Sequence, residues 1–279
     1  MRVRRQLEQA VAVAALGGAT LLAVVVLIFI LVFVLSKGLR IVTLDFLFQA
    51  PRDMGRAGGI FPALVGSIIL PLAAVCIALP AGVGTAVYLA EYTAEGRLTR
   101  LIRTGTDCLA GIPSILFGLF GFIFFVTVMG MGWSLLAGAL TLAIMVLPTI
   151  IRTSEEAIRS VPRSYREVSY SLGATRWETV WKVVLPSALP GIVTGVMLSV
   201  GRCVGETAAV IFTAGVALRI PMSAFDSVRT LAVHFYILAR EGISMENAYG
   251  TAAVLVLAVL LVNTVSYGLM HRFIARRER

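Results

Sequence analysis

Five long stretches of this chain contain no Asp, Glu, Lys or Arg: residues 10–36, 57–90, 108–151, 183–201 and 247–270. A bilayer hydrocarbon core about 30 Å thick is crossed by about 20 apolar residues of helix, because a backbone in lipid must satisfy its own hydrogen bonds. The stretch 108–151 is long enough to cross twice. Gly130-Met131-Gly132 near its middle supplies residues that tolerate positive φ in a tight reversal. The pattern predicts an all-α, polytopic membrane protein with six transmembrane helices.

Composition agrees. Hydrophobic residues make up 58% of the chain and charged ones 14%, against roughly a quarter charged in soluble domains. The opening Met-Arg-Val-Arg-Arg precedes an apolar stretch longer than a typical signal-peptide core, and no small-x-small cleavage site follows Leu35, so a retained first span is expected. Cys76, Cys108 and Cys203 lack metal-type or paired spacing and read as packing residues, with no metal site.

A net charge of +9 raises the question of nucleic acid, which the location of the charge answers. Arg2, Arg4, Arg5, Arg97, Arg100, Arg103, Arg152, Arg159, Arg163, Arg166, Arg176, Lys182, Arg272, Arg276, Arg277 and Arg279 all fall on one side of a six-span chain. Lys37, Arg40, Arg52, Arg56, Arg219, Arg229 and Arg240 lie on the other side, in longer loops. The positive-inside rule therefore puts both termini in the cytoplasm, next to membrane lipid and away from nucleic acid.

In sequence order the expected spans are 11–35, 66–90, 107–129, 133–151, 188–216 and 248–270. Pro71 and Pro80 should kink the second, and Pro113 with Ser114 should break the third near its cytoplasmic end. Residues 91–105 form a short cytoplasmic link, and an external segment to about residue 59 reads as partly interfacial. A loop fills 217–247, in which His234 is expected to be exposed, with Asp226, Glu241 and Glu246 too scattered for a metal or acid–base centre. No repeat or linker divides the chain, so 1–279 reads as one transmembrane domain with a cytoplasmic insertion at 152–187.

That insertion is the most informative stretch. Residues 160–190 read SVPRSYREVSYSLGATRWETVWKVVLPSALP. Pro162 suits a first helical turn, while Ser164 with Glu167 has capping-box spacing and competes with it for the helix start. Gly173 offers a left-handed stop, and Thr175 with Glu178 a second capping box. The expected result is helix, glycine turn, helix.

The spacing of Glu167, Gly173, Val183, Leu185 and Pro186 resembles the cytoplasmic EAA loop of ABC-importer permeases. Val168 and Ser169 stand where that family usually has two alanines, and Val183 where isoleucine is common. The resemblance implies a type I importer permease fold, with residues about 164–173 forming a coupling helix seated in a cleft of a nucleotide-binding subunit. No GxxxxGK[ST] loop occurs, and the only lysines are Lys37 and Lys182. The chain is therefore expected to be no enzyme and to bind no cofactor, with ATP and Mg held by a partner ATPase.

One pair of charges interrupts a span. Arg202 lies about 18 Å beyond Pro190 at 1.5 Å per residue, near the membrane centre. Glu206 follows at i,i+4, so both are expected on one helix face as a pair. A guanidinium donates parallel hydrogen bonds to a tetrahedral oxyanion, and Glu206 would keep such an anion moving. Both therefore read as substrate-pathway residues, the alternative being an ion pair that only fixes helix packing. Gly191 with Gly195 and Gly201 with Gly205 give two small-xxx-small spacings at which another helix can approach.

Wider similarity lies in GGIFPALVGSIILPL at 58–72, PAGVGTAVYLAEYT at 80–93, LAGIPSILFGLFG at 109–121 and GRCVGETAAVIFTAG at 201–215. These segments resemble phosphate-importer permeases over most of the chain, the A-type branch more than the sibling C-type (PstC) branch. The resemblance implies a heterodimer with a PstC-like permease, two PstB-like ATPase subunits and an external PstS-like phosphate-binding protein, in a bacterial cytoplasmic membrane. A permease for another oxyanion, such as molybdate, sulfate or phosphonate, would share the loop and the partners. A membrane enzyme acting on lipid-linked phosphate would need clustered acid, base or metal ligands, which the sequence does not offer. A purely sensory membrane protein would have little use for an intramembrane Arg and Glu.

Overall fold

The first helix, α1 (Arg2–Gly38), is apolar and exposed along its span. It meets the rest of the chain near its end, where Phe33 packs edge-on against Tyr249 with ring centroids 6.0 Å apart. The computed structural model describes residues 2–94 and 96–275. Arg276, Arg277 and Arg279 of the basic C-terminal segment lie outside the described residues, as do the side chains of Arg2, Arg4, Arg5 and Arg272. Among the described residues five helices are long and apolar enough to cross a membrane, and a bent pair makes a sixth crossing.

The centre is the crossing of α3 (Phe61–Val87) and α6 (Leu135–Ser160). Leu70, Ala74 and Ala78 of α3 are buried in one cluster with Leu142, Met145, Val146 and Ile150 of α6. α3 runs unbroken through Pro71 and Pro80, and α6 through Pro148. α9 (Leu185–Val204) lies against α6 through Gly191 and Gly195. A Cβ on Gly195 would collide with the Thr153 side chain, and one on Gly191 would meet Ala157 Cβ at 2.5 Å. The first small-xxx-small spacing is thus a helix contact. At the second, a Cβ on Gly201 would meet Asn263 Oδ1 at 3.3 Å, whereas one on Gly205 would meet nothing within 4 Å.

The third crossing differs from expectation. α3 passes through a π turn at Tyr88–Tyr92, and the expected link is mostly a helix, α4 (Arg97–Ala110). The chain then bends by 100° into α5 (Ser114–Gly121), which continues as a π-helical segment over Phe122–Val128. Pro113 causes the break, because it lacks a donor and pushes Ile112 toward extended backbone. The crossing therefore starts at Ser114 instead of 107. Gly130 and Gly132 take φ of +67° and +64° in the expected reversal.

The external segments are structured. Thr43 caps α2 (Leu44–Phe48) by accepting the Phe46 N–H at 3.2 Å, and β1 (Pro51–Arg52) pairs antiparallel with β2 (Ala57–Gly58). Phe46 is buried with Ile60, Ala63, Leu231 and Val254. The expected 217–247 loop contains α11 (Leu231–Arg240), packed on α12 (Met245–Ala275) and α3. The expected fifth span to residue 216 stops at Val204, and a short helix, α10 (Ala208–Thr213), follows.

Candidate functional site

The cytoplasmic insertion begins as the last turns of α6, then forms α7 (Arg163–Ser171). Pro162 occupies the N-cap with no side-chain cap, so the proline start wins over the Ser164–Glu167 box. Gly173 ends the element at φ +84°, a left-handed conformation that costs other residues about 1 kcal/mol or more. The second box forms as expected: Thr175 Oγ1 accepts the Glu178 N–H at 3.3 Å, and Glu178 Oε2 accepts the Thr175 N–H at 3.0 Å. The Thr175 N–H, then its hydroxyl, then Lys182 hold the Glu178 carboxyl below its ordinary value. From this cap α8 (Arg176–Thr179) runs through a π turn at Val180–Val184 into α9, so Leu185 and Pro186 open the helix that enters the membrane.

Glu167 is exposed on α7 and lines a depression with Glu91, Arg163, Arg166 and Arg176. On another face Tyr165, Val168, Leu172 and Val183 line a second, apolar depression, and Leu172 is 83% exposed. Apolar side chains on a solvated hairpin outside the membrane mark a docking face.

The opposite side of α7 is fastened to the bundle. Arg166 donates to Glu91 Oε1 from Nη2 at 2.6 Å and from Nε at 3.0 Å. It also donates to the carbonyls of Val161 at 2.7 Å and Ile158 at 2.9 Å. The Glu91 carboxylate is buried in the π turn that ends α3. On the next residue, the Tyr92 ring carries the Arg176 guanidinium 5.4 Å from its centroid. Ser169 and Thr179 share a buried hydrogen bond of 2.9 Å between the two arms. The end of α3 thus grips both arms of the hairpin. A second set binds α4 to α6: Arg103 Nη2 and Arg159 Nε reach Glu155 Oε1 at 2.8 Å and 3.0 Å.

Sequence reasoning did not find Glu91, Arg166 or Glu155 as functional residues. A signal existed for Glu91: it is the first charge after the uncharged run 57–90, at a depth where an acid needs a partner.

The expected pair Arg202–Glu206 is not formed. Gly205 ends α9 between them, so they do not share a helix face, and no hydrogen bond or ion pair joins them among the described residues. Arg202 is exposed in the last turn of α9, where the negative end of the helix dipole favours a cation. Glu206 accepts the Ala209 N–H at 3.3 Å, at the start of α10. Each charge sits at a helix end instead of against the other, an arrangement that broken membrane helices use around ions. The guanidinium is left unneutralised by Glu206.

His234 is not the exposed loop residue expected. It is 1% exposed within α11, with Nδ1 3.2 Å from Nη1 of the buried Arg229, whose Nε donates to the Val216 carbonyl at 2.8 Å. Burial first, then the charge of Arg229, pushes the imidazole down to about 4, and burial pushes Arg229 down to about 10. Among the described residues no group of three or more His, Cys, Asp or Glu gathers in metal-binding geometry.

A bundle of membrane-crossing helices with a clasped cytoplasmic hairpin, its apolar face outward, has the form of a membrane-spanning subunit that docks a partner. The family model described as "Binding-protein-dependent transport system inner membrane component" matches residues 78–279, and the chain belongs to that family. It is 34% identical to "Phosphate transport system permease protein PstA 1" of Mycobacterium tuberculosis (strain CDC 1551 / Oshkosh), covering 100% of this chain and 93% of the relative. It is also 34% identical to "Probable ABC transporter permease protein YqgI" of Bacillus subtilis (strain 168), covering 94% of each. In fold it is similar to a chain of a bacterial ABC transporter that imports the acidic polysaccharide alginate. That match has a TM-score of 0.69 at 14% identity and covers 98% of this chain and 99% of the other. An inward-facing structure of the MetNI methionine ABC transporter matches with a TM-score of 0.62 at 22% identity, covering 75% and 93%.

Proposed function

We propose that this chain is the A-type permease subunit of a phosphate importer in the bacterial cytoplasmic membrane, forming one transmembrane domain over residues 1–279. It pairs with a PstC-like permease, receives phosphate from a PstS-like binding protein outside, and is driven by two PstB-like ATPase subunits that hold ATP and Mg. The observation that carries the reading is the hairpin 163–184, whose apolar face is free for a partner while Arg166 and Arg176 tie its other side to the end of α3. Motion imposed at Glu167 and Gly173 would pass through that clasp to α3, and through Leu185 and Pro186 to α9. The PstA relatives support phosphate as the substrate, and the exposed guanidinium of Arg202 supports an anion.

The test is to purify the chain with its co-expressed partners, reconstitute it, and measure phosphate-dependent ATP hydrolysis together with radiolabelled phosphate uptake. Uptake should persist in the presence of equimolar molybdate, sulfate or phosphonate. Full competition by one of them would reassign the substrate to that anion. Phosphate-independent hydrolysis with no uptake of any of the four would overturn the reading.

A further inference from the structure

α4 is amphipathic in the opposite sense from a packed surface helix. Its inward side, against α6, is polar: Thr99 and Thr106 are buried there, and Arg103 reaches Glu155. Its apolar side points away from the protein. Leu98 and Leu101 are 59% and 68% exposed, and Cys108 and Leu109, about two turns on and at helical spacing from Leu101, are exposed as well. Arg97 and Arg100 are exposed at the edge of that stripe.

The orientation of the helix says what covers the stripe. α4 meets the following crossing at 100°, so it runs along the membrane plane at the level where the crossing begins. Beyond the bend the outward surface stays apolar, through exposed Ile115, Leu116 and Phe120 of α5. One continuous apolar surface therefore passes from the side of a membrane-crossing helix onto α4, rimmed by guanidinium groups. A helix with leucines on one face and arginines beside them lies at the headgroup boundary, its apolar face turned to acyl chains and its cations near phosphates.

We propose that α4 is an in-plane anchor on the cytoplasmic leaflet, with Leu98, Leu101 and Leu109 in the acyl boundary and Arg97 and Arg100 on the phosphates of anionic lipids. Through Arg103 and Glu155 the anchor is joined to α6, the helix that leads into the cytoplasmic hairpin.

The test is nitroxide scanning in the chain with Cys76, Cys108 and Cys203 replaced by Ser, purified with its partner subunits and placed in vesicles of phosphatidylethanolamine and phosphatidylglycerol. Labels at 98 and 101 should relax faster with oxygen than with a water-soluble nickel chelate, and labels at 100 and 104 should show the reverse. If 98 and 101 are as open to nickel as 100, the helix is in water. If they are shielded from both reagents, a protein covers them. Either result overturns the proposal. In the unlabelled complex, spin-labelled phosphatidylglycerol should show a larger motionally restricted fraction than spin-labelled phosphatidylcholine. R97Q/R100Q should cut that excess by at least twofold, and an unchanged excess would overturn the arginine–phosphate contact.

Discussion

Glu91 and Arg166 lie far apart in sequence and form one buried contact, with side chains 6% and 16% exposed. An ion pair so placed is costly to break from one side, about 3–5 kcal/mol, because the remaining charge loses its compensation. Glu91→Gln keeps the shape and one acceptor, and the carbonyls of Val161 and Ile158 keep two donors of Arg166 occupied. Its cost should therefore fall near the low end, about 3 kcal/mol, read as a lowered melting temperature of the purified complex. Uptake per ATP hydrolysed should fall with it, because the hairpin loses its rigid tie to α3. At Arg202 the opposite balance holds. The side chain is exposed and has no ion-pair partner to orphan among the described residues, so Arg202→Ala should change stability by no more than about 0.5 kcal/mol. Phosphate uptake should be lost all the same, and Arg202→Lys should restore part of it at most, a lysine lacking the planar two-donor fork.

At the level of elements, α11 carries a pH dependence that a loop would not. With His234 held near 4 in the folded chain against an ordinary 6.5, the imidazole is neutral in both states above pH 6.5. Below that pH the unfolded chain takes up a proton and the folded chain does not, so stability falls as pH drops from about 6.5 toward 4. The loss is up to ~3 kcal/mol at 1.36 kcal/mol per unit. Thermal unfolding between pH 7 and 4.5 should show it, and His234→Gln should flatten the slope. Local chemistry made several elements legible in advance: the Thr175–Glu178 cap, the stop at Gly173, the reversal at 130–132 and the Gly191–Gly195 contact each follow from a few neighbouring residues. The helix α4 was not legible, because the charges at Arg97, Arg100 and Arg103 made residues 91–105 read as a link, and only burial shows which side of it faces the protein. The end of α9 at Gly205 escaped for a related reason, since glycine is common inside membrane helices and only its neighbours decide whether it stops one. Burial of His234 depends on α3 and the hairpin near Gly55 packing over α11, contacts distant in sequence.

For the whole molecule, the proposed function requires α3, α6, α7 and α9 to move as one linkage from the cytoplasmic hairpin to the broken helix that bears Arg202. Glu167→Lys places a cation in a depression already lined by Arg159, Arg163, Arg166 and Arg176, and Gly173→Val forces a branched side chain into a left-handed turn. Both should leave membrane insertion intact and cut phosphate uptake at least tenfold while ATP hydrolysis by the partner subunits continues. Parallel assays of hydrolysis and uptake in one reconstituted preparation read the two effects separately. Normal uptake by both variants would remove the hairpin from energy transmission.

The bend at 111–113 also bears on which membranes suit this protein. The crossing it leaves, Ser114–Val128, spans only about 22 Å at 1.5 Å per residue, well short of its neighbours. Lipid beside it must thin locally, at a cost of fractions of a kcal/mol per Å of mismatch. Lengthening the acyl chains of the host bilayer raises that cost and loads it on the hinge. Transport should therefore be fastest in vesicles of short-chain lipids and slow steadily as chains lengthen from 14 to about 22 carbons, whereas a crossing of ordinary length would give an optimum in between.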